Sequence, residues 1–178
     1  MPEPTPAASR VEVRPATSAD LSAAGDVTVA GYRADGFLDD PTGVEEGYAD
    51  RLRDTAHRAE QADLVVAVDG DEVLGTVTWC PEGSPYRELG TSADQGEFRM
   101  LAVSPSARRR GIGRALVGWC LDRARAEGLR EVVLCSLPQM RPAHAMYASY
   151  GFVRAPELDW SPAPGTDLWG FRLALEPA

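Results

Sequence analysis

Continuous apolar runs and short hairpin signals predict the strands at the centre of this chain. The segment Leu64–Val68 reads LVVAV, an uninterrupted apolar run that is typical of a strand covered on both faces. The dipeptide Asp69-Gly70 then indicates a tight hairpin, and residues 73–79 return as the second strand. Further strands are predicted over Glu97–Val103 and Glu131–Cys135. These runs together predict a sheet whose interior strands are buried.

Helical spacing of apolar residues occupies the segments between these strands. The residues Thr17–Asp20 have the spacing of a capping box and predict a helix that runs to about Ala34. A second helix is predicted over Val44–Ala62, with an exposed face marked by the charged residues Glu45, Glu46, Arg51, Arg53, Arg58 and Glu60. A third follows from Ile112 and ends at Gly128, and a fourth is predicted over Met140–Tyr150.

Short alternating segments complete the predicted order. They lie at Val11–Pro15, Gly151–Val153 and Leu168–Leu175, and the order becomes β, α, α, β, β, β, α, β, α, β, β. With 178 residues and no internal repeat, we expect one domain over residues 10–178. The tail of residues 1–9 is rich in Pro and Ala, and we expect it to be disordered.

Composition narrows the classes of function. The net charge of −9 argues against a nucleic-acid binder, whose binding face would be basic. No apolar run reaches the length of a membrane span, and the N-terminus lacks the apolar core of a signal peptide, so we expect a cytoplasmic protein without membrane contact. Cys80, Cys120 and Cys135 are widely spaced, which favours reduced thiols over a disulfide framework, and no metal site is expected.

An anion site is predicted where the strand Glu97–Val103 leads into the third helix. Pro105 ends the strand, and three arginines and the turn Gly111-Ile112-Gly113 precede the helix. Free N–H groups at a helix start bind anions, and glycine lets a ligand approach the backbone. A P-loop is excluded because the chain contains no lysine. The dinucleotide fingerprint fails because Leu116 stands where its last Gly or Ala belongs.

The pattern Arg108-x-x-Gly111-x-Gly113, after FRMLAV and before Ala115-Leu116, resembles the acyl-CoA diphosphate loop of the GNAT superfamily of N-acetyltransferases. The resemblance covers about residues 11–175. It implies an α/β (α+β) GNAT fold, a mixed, twisted sheet of about seven strands with helices on both faces. It also implies acetyl-CoA as co-substrate, bound by the residues Leu101, Ala102, Val103, Arg108, Arg109, Arg110, Gly111, Ile112, Gly113, Arg114 and Tyr147.

The segment Ala143–Phe152 carries a second point of resemblance. It is similar to the family segment A-x-x-[LM]-Y-x-x-x-G-F, whose tyrosine commonly protonates the departing CoA thiolate. That role falls on Tyr147; a phenol near pKa 10 stays protonated at neutral pH. The alternative is that Tyr147 only packs its ring. The family often has Asn where this chain has Met140, which leaves a contact to the pantetheine arm missing or supplied otherwise.

A base must take a proton from the attacking amine. The resemblance points to Glu97, which stands where some members of the family place a catalytic glutamate. Glu97 could instead be a strand-end carboxylate in solvent, or a partner of Arg99 two residues further along the same face. His144 lies one helical turn before Tyr147 and is a second candidate proton carrier.

The resulting expectation is transfer of an acetyl group from acetyl-CoA to a primary amine, small molecule or peptide, by direct attack in a ternary complex. The alternative is a non-catalytic module that binds CoA or an amine and regulates. A nucleotide-phosphate enzyme with the same glycine turn is a third interpretation. The predicted acceptor site uses the N-terminal helices and the loops 81–96 and 156–165, which do not identify the amine. A homodimer is compatible with the sequence.

Overall fold

The computed structural model describes residues 10–39 and 44–176, with the side chains of residues 44–46 left aside. The tail of residues 1–9, for which we predicted disorder, lies outside the described residues. The strands are β1 (Glu12–Pro15), β2 (Asp63–Asp69), β3 (Glu72–Trp79), β4 (Gln95–Val103), β5 (Glu131–Ser136), β6 (Val153–Arg154), β7 (Trp160–Ala163) and β8 (Thr166–Ala174). The helices are α1 (Leu21–Ala34), α2 (Val44–Arg53), α3 (Thr55–Gln61), α4 (Ile112–Ala126) and α5 (Arg141–Tyr150).

The eight strands form one mixed sheet. Their order is β1-β2-β3-β4-β5-β8-β6, and β7 pairs with β8 beside this path. All neighbouring strands are antiparallel except β4 and β5, which run parallel. A parallel neighbour requires a crossover connection, and α4 provides it between these two strands. The predicted fold class is therefore confirmed.

The side chains of β2 alternate between two cores, as a strand covered on both faces requires. Val65 and Ala67 belong to the larger core, together with residues of α4 and α5. Leu64 and Val66 pack on the other face, where Ala24 of α1 meets them. Because successive side chains of a strand point to opposite faces, the continuous apolar run reflects helices on both sides of the sheet.

Two predicted segments contain a different number of elements in the structure. The helix predicted over Val44–Ala62 is two helices, because the chain leaves helical geometry at Asp54. The Asp54 carboxylate accepts a hydrogen bond from the His57 N–H at 3.1 Å and so caps α3. The Pro-rich loop predicted over residues 156–165 contains β7, which forms a hairpin with β8 through the pair Ala163–Thr166 and raises the strand count to eight.

Candidate active site

A cleft opens between β4 and β5 because the two strands stop pairing before they end. Their register runs from Gln95–Glu131 only as far as Glu97–Val133. Beyond that pair, β4 continues to Val103 and β5 to Ser136. The cleft between the two diverging ends is lined by residues of α1, β4, β5 and α5, namely Tyr32, Phe98, Arg99, Met100, Leu101, Leu134, Cys135, Ser136, Met140, Ala143 and Tyr147.

A β-bulge at Met100 bends β4 at this point. The pairs Thr78–Arg99 and Thr76–Ala102 leave one more residue on β4 than on β3, and Met100 has a φ of 53°. Regular alternation would place Phe98 and Met100 on the same face. Phe98 packs in the core with α4, whereas Met100 packs with residues of α1 and α2. The bulge therefore turns the second half of the strand relative to the first.

The side chain of Arg58 of α3 contacts the bulge at Met100. Its side chain is fully buried, and its guanidinium donates to the Met100 Sδ at 2.9 Å and to the Leu52 carbonyl at 2.8 Å. Burial lowers the pKa of this arginine. The sequence prediction had placed Arg58 on an exposed, charged helix face, and this is wrong. Arg58 lies three residues after the buried Thr55, so helical spacing would have indicated a buried position. Arginine side chains are rarely fully buried, and the residue type pointed to the surface.

The backbone of β4 presents free peptide groups to the cleft at Val103. The Ser104 N–H donates to the Leu74 carbonyl at 2.8 Å, next to the pair Gly75–Val103. This makes that pair a non-hydrogen-bonded one, so the N–H and C=O of Val103 point away from β3 and towards β5. By the same alternation, those of Ala102 point to β3. Of the three predicted strand contacts, Leu101 thus lines the cleft, Val103 directs its peptide groups away from β3, and Ala102 pairs with β3.

The residues Arg108–Arg114 link the end of β4 to the start of α4. Arg109 and Gly111 both adopt left-handed backbone conformations, with φ of 63° and 77°. The first helical hydrogen bond joins the Ala115 N–H to the Gly111 carbonyl at 3.0 Å. The N–H groups of residues 111–114 therefore have no acceptor within the helix, and they carry the positive end of its dipole. The structure places the predicted anion turn at the open end of the cleft strand.

Three of the arginines of this turn are bound to other elements. Arg108 forms a bidentate pair with Asp35, just after α1, at 2.8 and 3.0 Å. Arg110 reaches Asp69 at the end of β2 at 3.3 Å. Arg114 donates to the Ser149 hydroxyl of α5 at 2.6 Å. These side chains fix the turn, whereas its backbone N–H groups at residues 112–114 have no acceptor within the helix.

Tyr147 stands in the cleft with its ring enclosed by aromatic side chains. Its centroid lies 6.1 Å from Phe98, 5.8 Å from Phe152 and 6.1 Å from Phe171. Only 5% of the residue is exposed, and burial raises the pKa of its phenol. Among the described residues, none accepts a hydrogen bond from its hydroxyl. A hydroxyl at a cleft wall with no acceptor among these residues is available to a ligand.

Glu97 is fully buried and its carboxylate is occupied by the loop that precedes it. Oε2 accepts the N–H groups of Leu89 and Gly90 at 2.9 Å each and that of Glu88 at 3.1 Å. Oε1 lies 3.1 Å from the same Glu88 nitrogen. The carboxylate thus holds the loop of residues 81–96 against the sheet. Neither alternative considered for it, a solvated carboxylate or a partner of Arg99, matches this position.

Arg99 pairs with Glu88, a contact that the sequence did not reveal. Its guanidinium lies 3.0 Å from Glu88 Oε1 and donates to the Tyr86 carbonyl at 3.0 Å. Burial raises the pKa of the Glu88 carboxyl, while the arginine acts in the opposite direction. Both residues depend on the loop geometry that Glu97 sets, so no local sequence signal could have paired them.

The remaining candidates lie beside the cleft or outside it. Met140 lies at the N-terminus of α5, and its sulfur is 3.4 Å from the Ser136 hydroxyl. His144 lies behind that hydroxyl, with Nε2 3.1 Å from Ser136 Oγ. Cys135 lines the cleft, and burial raises the pKa of its thiol to about 11. None of the helices in the described residues is long and apolar enough to cross a membrane.

Comparison with known proteins supports this geometry. A sequence profile described as the Acetyltransferase (GNAT) family matches residues 33–152. The chain is similar to mycothiol acetyltransferase from Geodermatophilus obscurus, with 35% identity over 111 residues, 62% of this chain and 35% of that protein. It is also 35% identical over 92 residues to N-acetyltransferase family 8 member 3 from Rattus norvegicus, 52% of this chain and 39% of that protein. The matched region spans between 32% and 36% of three mycothiol acetyltransferases.

Solved structures share the whole fold at low identity. The PaiA N-acetyltransferase from Thermoplasma acidophilum, in complex with coenzyme A, superposes with a TM-score of 0.73 at 14% identity. The alignment covers 93% of this chain and 99% of that one. The ribosomal-protein-S18-alanine N-acetyltransferase from Escherichia coli gives a TM-score of 0.65 at 18% identity, over 95% and 96% of the two chains. The family profile matches well over half of the sequence, and the chain belongs to the GNAT family of acetyltransferases.

Proposed function

We propose that this protein transfers an acetyl group from acetyl-CoA to a primary amine by direct attack within a ternary complex. The observation that carries the proposal is the cleft itself. It joins peptide groups of β4 that are directed away from β3 to the N-terminus of α4, and it contains a phenol to which no other described residue is hydrogen-bonded. These are the groups that a thioester on a diphosphate-bearing carrier requires. The family membership supports the same reaction.

The diphosphate of the coenzyme would bind at the turn of residues 109–114. Backbone N–H groups of residues 111–114 point out of the helix start and match phosphate oxygens in charge and direction. The pantetheine arm would then extend along β4, where the amide groups of Val103 are directed away from β3. A polar arm that pairs with the strand in this way takes the place of the missing neighbour in the sheet.

The reaction would take place where the arm reaches Tyr147. The amine nitrogen attacks the thioester carbonyl carbon, a C–N bond forms, and the C–S bond breaks as the tetrahedral intermediate collapses. Negative charge develops on the departing sulfur, and the Tyr147 hydroxyl donates a hydrogen bond and its proton there. Because burial raises its pKa, the phenol carries its proton throughout the neutral pH range. A backbone N–H of β4 can hold the oxyanion.

We assign a positioning role to Glu97 rather than that of the predicted base. A base needs a free lone pair directed at the proton that it removes. Both oxygens of Glu97 already face peptide N–H groups of the loop, and the side chain has no exposure to solvent. Its effect on the reaction would pass through the loop and through Glu88, which that loop places beside Arg99.

We place the reaction in the cytoplasm. All three cysteines are free thiols, with Cys80 and Cys120 buried, which fits a reducing compartment. A small-molecule or peptide amine remains the proposed acceptor. The mycothiol acetyltransferase and N-acetyltransferase 8 relatives carry names that describe acetyl transfer, and they favour an enzyme over a regulatory module on the same fold.

Release of free thiol from acetyl-CoA tests the proposal. The purified chain is incubated with acetyl-CoA and a panel of amines: spermidine, tyramine, L-alanine and a peptide that begins with alanine. We expect thiol release that depends on at least one amine and on enzyme concentration. Calorimetric binding of CoA with no turnover across the panel would favour the non-catalytic module. Calorimetric binding of ATP or NAD, with no binding of CoA, would favour the nucleotide-phosphate enzyme.

A further inference from the structure

A serine and a histidine meet at the wall of the cleft, and the histidine is the second candidate proton carrier that the sequence offered. Ser136 is the last residue of β5, is buried, and lines the cleft together with Tyr147. Its hydroxyl oxygen lies 3.1 Å from Nε2 of His144. The same hydroxyl is 3.4 Å from the Met140 sulfur. Because an imidazole nitrogen is a much stronger acceptor than a thioether, the hydroxyl proton belongs to the contact with His144.

The imidazole is held in place by aromatic rings behind it. Its centroid lies 5.9 Å from the Trp169 ring, in a stacked arrangement, and 4.9 Å from the Phe171 ring. Both rings belong to β8, the neighbour of β5 in the sheet. A half-buried imidazole between α5 and β8 therefore keeps one nitrogen directed at Ser136. This arrangement of hydroxyl and oriented imidazole is the one that proton transfer through a hydroxyl requires.

Burial and two neighbouring cations disfavour the charged form of His144. Burial lowers the pKa of the imidazole, and the cationic groups Arg141 of α5 and Arg154 of β6 act in the same direction. A hydrogen bond to the Leu137 backbone acts in the opposite direction. A neutral ring has one nitrogen with a lone pair, and the 3.1 Å contact places Nε2 where that lone pair can accept from Ser136.

We propose that Ser136 and His144 form the proton relay for the acceptor amine, a proposal that rests on the proposed acetyl transfer. As the amine nitrogen bonds to the acetyl carbon, Ser136 Oγ takes its proton. The hydroxyl proton of Ser136 moves to His144 Nε2, which becomes the imidazolium. Tyr147 supplies the proton that the departing thiolate gains. Through solvent the imidazolium returns its proton to the phenolate, so that no net proton is gained or lost.

The other groups in the cleft are less suited to this role. The Cys135 thiol has a pKa raised to about 11, so it holds its proton at neutral pH and is a poor acceptor. Arg99 is a cation, and its carboxylate partner Glu88 is already bound to it at 3.0 Å. Glu97 is occupied by the loop. The hydroxyl of Ser136 and the imidazole behind it are thus the pair in the cleft wall that can accept a proton and pass it on.

Kinetics of Ser136→Ala and His144→Gln test the relay with whichever amine of the panel gives the fastest thiol release. We expect each variant to lower kcat/KM for the amine about 10²-fold, with calorimetric CoA affinity unchanged. At pH values below the pKa of His144, which burial lowers from its usual value, the slope of log kcat/KM against pH should fall from about two to about one in His144→Gln, because only the ionisation of the amine remains. The matched control is His57→Gln, a change at the other, exposed histidine, which should preserve both rate and slope.

The outcomes separate the two proposals. Thiol release that persists in His144→Gln with an unchanged slope would remove the relay and leave the acetyl transfer in place. Absence of release with every amine would remove both. Incubation of the enzyme with acetyl-CoA alone, followed by intact mass measurement, should show no acetyl adduct; an acetyl group on Ser136 would make it a nucleophile and overturn its role as a relay.

A spectroscopic measurement tests the Ser136–His144 contact without turnover. The chain has two histidines, so His57→Gln leaves the single imidazole of His144. Long-range ¹H–¹⁵N correlation at pH 7 should show Nε2 without a proton, and its titration should move when Ser136→Ala is added. A protonated Nε2 at that pH, or an identical titration in the presence and absence of the serine hydroxyl, would overturn the relay.

Discussion

The substitution Glu97→Gln separates a loop anchor from a catalytic base. Its carboxylate accepts three peptide N–H groups from the loop, those of Glu88, Leu89 and Gly90. A buried hydrogen bond to a charged acceptor contributes about 1.5–3 kcal/mol, and a neutral one about 0.5–1.5 kcal/mol. Loss of the charge therefore costs about 1 kcal/mol for each of the three bonds. We expect the free energy of unfolding to fall by about 3 kcal/mol.

Urea denaturation followed by tryptophan fluorescence measures this loss, with thiol release measured on the folded fraction. Glu72→Gln is the matched control, because Glu72 begins β3 and is exposed to solvent. It should change the free energy of unfolding by less than about 0.5 kcal/mol. If Glu97→Gln has a similarly small effect on stability and still abolishes turnover, the anchoring role is wrong and the carboxylate acts on the proton of the amine.

Three further substitutions test the turn of residues 108–114, the proposed acid and the ion pair of Asp20 with Arg14, whose nearest atoms are 2.7 Å apart. Tyr147→Phe should lower kcat about 10²-fold and leave CoA affinity by calorimetry unchanged, since only the hydroxyl is removed; unchanged kcat would remove the acid role. Gly111→Ala should cost about 1–2 kcal/mol in urea denaturation and weaken CoA binding, because its φ of 77° disfavours a Cβ although the surrounding space is open. Gly47→Ala, in the open middle of α2, should instead stabilise by about 0.5–1 kcal/mol. Asp20→Asn should lower the free energy of unfolding by about 1–3 kcal/mol at pH 7. The hydrogen bond from the Arg14 guanidinium lowers the pKa of Asp20 in the folded state. The contribution of Asp20 to stability is therefore fully present above the unfolded pKa of about 3.9 and is lost as pH falls through the folded pKa. The difference in the free energy of unfolding between the unchanged protein and Asp20→Asn should therefore shrink in acid. A difference that is the same at pH 3 and pH 7 would contradict this origin. The control is Asp26→Asn, at an exposed position of α1.

Local patterns were enough to predict most of the elements and the turn that starts α4. The apolar run Leu64–Val68, the hairpin at Asp69-Gly70 and the helix end at Gly128 are set by interactions between residues close in sequence. The glycine turn is similarly local, because the left-handed conformation at Gly111 follows from its own lack of a side chain. These features could be predicted because each depends on a few neighbouring residues.

The directions of the polar side chains could not be predicted, because they depend on contacts between distant segments. Glu97 accepts a hydrogen bond from Leu89, eight residues earlier in a loop that folds back onto the sheet. Arg58 of α3 contacts Met100 of β4, which lies 42 residues later in the chain. The bulge at Met100 also reverses the face that simple alternation assigns. His144 and Ser136 are eight residues apart, but they meet only because β8 closes behind them.

The three bound arginines of the turn of residues 108–114 have a consequence for the rate at which the proposed coenzyme binds. Arg108, Arg110 and Arg114 connect this turn to three separate parts of the fold, through Asp35, Asp69 and Ser149. The conformational entropy of ordering the turn is therefore lost when the chain folds rather than when the coenzyme arrives. The association rate of acetyl-CoA should then be limited by diffusional encounter, with no slow isomerisation of the protein before or after it.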